Sequence, residues 1–75
     1  MDLKKQQGDF LISTVSLPEG YEFDGKYPMG KFETMIKNTR TDSWLDFQER
    51  YDFEEDAING HREAIRLVME GKLID

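Results

Sequence analysis

Asp52-Phe53-Glu54-Glu55-Asp56-Ala57-Ile58-Asn59-Gly60-His61-Arg62-Glu63-Ala64-Ile65-Arg66-Leu67-Val68-Met69-Glu70-Gly71 is the stretch that decides the fold. At 100° per residue, Ala57, His61, Ala64 and Val68 fall within one sector. Ile58, Ile65 and Met69 widen that sector on one side, and Gly60 flanks it on the other. Arg62, Glu63, Arg66 and Glu70 point away from it, with Glu63/Arg66 and Arg66/Glu70 spaced to pair. Asp52 is the expected N-cap, with Glu55 completing a capping-box-like pair, while Glu54 and Asp56 suit the positive end of the dipole. Gly71 is the expected terminator. One amphipathic helix of this kind needs a sheet to lie on.

The residues before it supply that sheet. Residues 9–17 are β-branched and aromatic with no helical period, and they place apolar groups on both faces. Residues 31–37 form a second expected strand. Residues 44–51 form a third, with Leu45, Phe47 and Tyr51 on one face and Trp44, Asp46, Gln48 and Arg50 on the other. The expected architecture is α+β: a three-stranded antiparallel meander with the C-terminal helix packed on one face. Residues 1–8 read as a flexible tail and 9–75 as a single small domain. Between the first two strands, residues 18–30 hold three glycines, two prolines and three aromatics, and Asp24-Gly25 invites a small hairpin over 21–27.

The chain has 75 residues, enough for one domain with a thin core. It lacks cysteine, which excludes disulfides, zinc–thiolate sites and thiol catalysis. No apolar run is long enough to span a membrane, and Met1–Gln7 lack the stretch of a signal peptide, so a cytoplasmic protein without membrane attachment is expected. Ten basic against sixteen acidic side chains give −6. Residues 42–56 carry seven acids and a single base, Arg50. Such a field repels phosphate backbones and argues against direct nucleic-acid binding, while it favours a basic partner surface.

Three polar groups stand out as candidate ligand contacts. His61 is the only histidine and sits mid-stripe among alanines, where an unpaired ring costs about 1–3 kcal/mol. It is read as a neutral core histidine with a partner, or as part of a site at the helix–sheet seam. Glu33 and Arg50 lie inside strands and read either as a cross-strand ion pair on the open face or as members of a cluster with His61. Thr14 is carried with them as a further contact. Arg50 is opposite in phase to the core residues of its strand, which counts against convergence. No nucleophile elbow, phosphate-binding glycine loop, metal-ligand spacing or internal repeat is present, so neither a metal nor a cofactor is expected.

Ser13-Thr14-Val15, Phe32-Glu33-Thr34-Met35, Arg50-Tyr51, Ala57 and Gly60-His61, in that order and over roughly residues 10–70, resemble the pattern of a group of small proteins encoded by phages and prophages. Phe53 stands where that pattern has a capping Thr, which moves the expected cap to Asp52. The resemblance implies a phage or prophage origin and carries no activity with it. Phages devote many small genes to blocking host factors. The leading expectation is therefore a non-catalytic protein that binds and inhibits or sequesters a host protein. It would act through the aromatics Tyr21, Phe23, Tyr27 and Trp44 and the acids Glu54, Glu55 and Asp56. The alternative is a homo-oligomeric binder of a small nucleotide-like ligand near Glu33, Arg50 and His61. A small hydrolase using His61 as base is the third expectation.

Overall fold

The computed structural model describes residues 1–17 and 30–73. Their elements run β1 (Asp2–Gln7), β2 (Phe10–Ser16), β3 (Phe32–Asn38), β4 (Ser43–Tyr51) and α1 (Glu54–Met69). The four strands form one antiparallel sheet in the order β1-β2-β3-β4, with α1 against all four strands. The expected small hairpin in the 18–30 segment lies outside the described residues.

The α+β class and the helix on one face hold, but the strand number is corrected from three to four. Residues 1–8 are a strand and turn rather than a tail. Gly8, at φ +60, is the first central residue of a two-residue hairpin loop, a position where a side chain is strained. That turn folds β1 onto β2 in unbroken register from Asp2↔Val15 to Gln7↔Phe10. Backbone pairing holds such an edge strand with Leu3 as its one apolar side chain, so its polar composition hides it. Gln6 Nε2 fastens the turn by donating to Gly8 O (2.8 Å) and Thr39 Oγ1 (3.0 Å), and Thr39 N–H donates to Asp9 O (2.8 Å).

The alternation of β2 sends Phe10, Ile12 and Thr14 toward the helix, and the register brings Ile36 and Thr34 beside Ile12 and Thr14. At the β3–β4 step, three residues of β3 from Met35 to Lys37 are spanned by five of β4, from Gln48 to Trp44. The bulge keeps both Leu45 and Phe47 on the core side. The buried apolar set among the described residues is Ile12, Ile36, Leu45, Ala57 and Ala64, with Phe10, Phe47, Ile65, Val68 and Leu73 packed at its margin.

The helix follows the expected stripe: Ala57, His61 and Ala64 are buried. Its start is a correction. Phe53, not Asp52, is the N-cap, extended at φ −120 and ψ 143, and it makes no side-chain cap hydrogen bond. The phenylalanine carbonyl still accepts the first helical bond from Ala57 N–H (3.0 Å), so the backbone turns into the helix with Asp52 one residue outside. At the far end Gly71 (φ +66) closes a Schellman motif as expected, with Lys72 N–H on Leu67 O (2.9 Å) and Gly71 N–H on Val68 O (3.1 Å). Arg66 pairs with Glu63 and with Glu70 on the outer face. Among the described residues, no helix is long and apolar enough to cross a membrane.

Candidate functional site

Polar chemistry inside this protein lies on the seam between α1 and the sheet. His61 is 7% exposed, and its Nδ1 lies 2.8 Å from Thr14 Oγ1 on β2. Thr14 Oγ1 lies 2.5 Å from Thr34 Oγ1 on β3, and both threonines are fully buried. Tyr51 of β4 lies at the same seam, its ring against Gly60 of α1. Side-chain hydrogen bonds thus join α1, β2 and β3 through two hydroxyls and one imidazole. Burial pushes the His61 pKa below its usual value and the Tyr51 pKa above its own, so both are neutral near pH 7. No buried side-chain nitrogen or oxygen among the described residues lacks a partner.

Gly60 explains how the ring of Tyr51 fits. A Cβ built on Gly60 falls onto the phenol, 2.6 Å from Tyr51 Cε1. A Cβ on Gly30 falls 2.6 Å from the Tyr51 backbone nitrogen. Tyr51 is thus held between two glycines, one on the helix and one beside the sheet. Gly60 gives α1 a close approach to the sheet, and an aromatic ring of β4 is what approaches.

Glu33 and Arg50 meet on the other face. Arg50 Nε donates to Glu33 Oε2 at 2.9 Å and Gln48 Nε2 donates to the same oxygen at 2.5 Å. Directly paired in the β3–β4 register, they form the cross-strand ion pair of the simpler reading, with Glu33 only 8% exposed. Convergence with His61 does not occur. Neighbouring residues of a strand point to opposite faces, and Thr34 next to Glu33 faces the helix. The structure brings Thr14 to His61 and Glu33 to Arg50, as two clusters separated by the sheet.

The acids Glu54, Glu55 and Asp56 are all exposed in the first turn of α1, and the uncapped Phe53 beside them is 69% exposed. Trp44, 51% exposed, sits at the opposite end of β4 with Lys37 Nζ 5.5 Å from its ring centroid, so it does not join the acidic corner. Tyr21, Phe23 and Tyr27 lie outside the described residues. The reading from sequence missed Thr34, Tyr51 and Phe53. Thr34 shares strand parity with the core residue Ile36, a signal that was present; the exposure of Phe53 had none. Among the described residues no group of three or more histidines or carboxylates is arranged to hold a metal ion. Comparison with known proteins finds no matching family model, no matching curated protein and no matching solved structure.

Proposed function

We propose that this chain is a non-catalytic binding protein whose β4–α1 corner engages a basic surface with an apolar pocket on a partner protein. If the origin is a phage, as the motif resemblance implies, that partner is a host factor and binding inhibits or sequesters it. The observation that carries the reading is Phe53. A helix N-cap favours Ser, Thr, Asp or Asn, and forgoing one costs about 0.5–2 kcal/mol. Here that position holds an exposed phenylalanine among Asp52, Glu54, Glu55 and Asp56, all exposed. A local rule broken without a packing gain marks a functional position, and an aromatic anchor with a charged rim has the form of a binding hot spot. At this same end of the sheet Leu17 N–H donates to Lys31 O (2.8 Å) and Gly30 abuts Tyr51.

Two features support a role without catalysis. Thr14 and Thr34 are inaccessible, and no carboxylate bonds His61 among the described residues. A small-ligand site would need Glu33, Arg50 and His61 to converge, and they lie on opposite faces of the sheet. The test uses immobilised wild-type protein and Phe53→Ser against host lysate, followed by titration of the purified retained protein. The expected result is a partner whose affinity drops at least tenfold with Phe53→Ser, although that variant melts higher. Equal binding by both forms, or no retained protein, sinks the reading.

A further inference from the structure

Among the described residues, β1 and β4 are the two edges of the sheet. We propose that β1 pairs antiparallel with β1 of a second copy about a two-fold axis through Leu3, so that Asp2 lies opposite Lys4 of the partner subunit. Hydrogen-bond parity comes first. Ser16 N–H donates to Met1 O (3.1 Å), and bonded pairs alternate along an antiparallel ladder. Leu3, Lys5 and Gln7 therefore turn their backbone groups toward β2, and Asp2, Lys4 and Gln6 turn theirs outward. A second antiparallel strand has to bond to that outward set.

Charge then selects among the symmetric registers. Centring the axis on Asp2, Lys4 or Lys5 stacks like charges on each other, which destabilises a cross-strand pair. Centring on Gln6 puts Lys4 against the Gly8 turn. Centring on Leu3 matches Asp2 with a lysine twice. It also sets Leu3 against Leu3 of the partner subunit on the helix side, where Met1 and Leu3 are half-buried. Within one chain Lys4 Nζ reaches Asp2 Oδ1 only at 3.9 Å with both side chains exposed, so the exchange across the axis gives up little. Lysines on an edge ordinarily deter pairing; here the deterrent is matched by an acid in the mirror position and spares a copy of the same strand.

The other edge is unsuited to this. β4 carries the bulge and the exposed acids Asp46 and Glu49. The need is plain from the core, because Ile12, Ile36 and Leu45 are the large apolar side chains it buries among the described residues. Domains this small draw on oligomerisation for stability.

Sedimentation of the full chain over a concentration series tests the proposal, independently of any partner at Phe53. Wild type is expected at twice the 8.8 kDa chain mass. Asp2→Lys and Lys4→Asp, each alone, juxtapose like charges and should raise the dimer dissociation constant about tenfold or more. Mixing the two variants restores opposite charges and should give a heterodimer, and the double swap in one chain should recover a homodimer. Both side chains are exposed, so circular dichroism should be unchanged. A wild type that stays monomeric, a dimer indifferent to both single changes, or a mixture without heterodimer would each overturn the proposal.

Discussion

His61 is a neutral ring held by one threonine hydroxyl, and its behaviour with pH follows from that. Its folded-state pKa lies below the usual 6.5 because burial disfavours the charged form. As pH falls through about 6.5 the unfolded chain takes up the proton first, so stability present above that pH is progressively lost below it. Urea denaturation at pH 7.5 and 5.5 should show the wild type losing more stability than His61→Gln. Equal losses would show that the imidazole is not desolvated. Thr14→Val removes the partner of Nδ1 and one partner of the Thr34 hydroxyl, at an expected cost of about 1–3 kcal/mol. His61→Leu combined with Thr14→Val should cost less than the sum of the two single changes, because neither variant group then waits for the other.

At the scale of the elements, the helix start and the helix–strand contact make opposite predictions about intuition. Phe53→Ser supplies the missing cap and removes an exposed ring, so it should raise stability by about 0.5–2 kcal/mol in thermal melts. Gly60→Ala ordinarily stabilises a helix interior by about 1 kcal/mol. Here the new methyl meets the Tyr51 phenol, and that gain should be absent in the wild type. It should reappear in a Tyr51→Ala background, where the space is open. A gain of the same size in both backgrounds would mean that α1 and β4 are not in contact through this ring.

For the whole molecule the deciding quantity is how little lies inside. Ile12 and Ile36 are fully buried and adjacent in register, and truncating either to alanine should cost about 2–5 kcal/mol. Small domains have total stabilities near the bottom of the usual 5–15 kcal/mol, so either variant should be largely unfolded at 37 °C by circular dichroism. Phe10, Phe47, Ile65, Val68 and Leu73 line the margin of that core without being fully enclosed, which is why two aliphatic positions carry so much.

The amphipathic stripe of α1, the parity of β4 and the closing Gly71 were legible because each is a local rule with a short period. The inward turn of His61 followed from the same wheel. What escaped was non-local. β1 is mostly polar and is a strand because Gly8 folds it back onto β2, bringing Met1 to Ser16, 15 residues away in sequence. The sorting of Thr14 with His61 and of Glu33 with Arg50 onto opposite faces was set by how the strands pair. Propensity and period act within a few residues, and they determine which elements exist; the register between strands and the approach of Tyr51 to Gly60 decide which side chains meet, and no stretch of sequence states them.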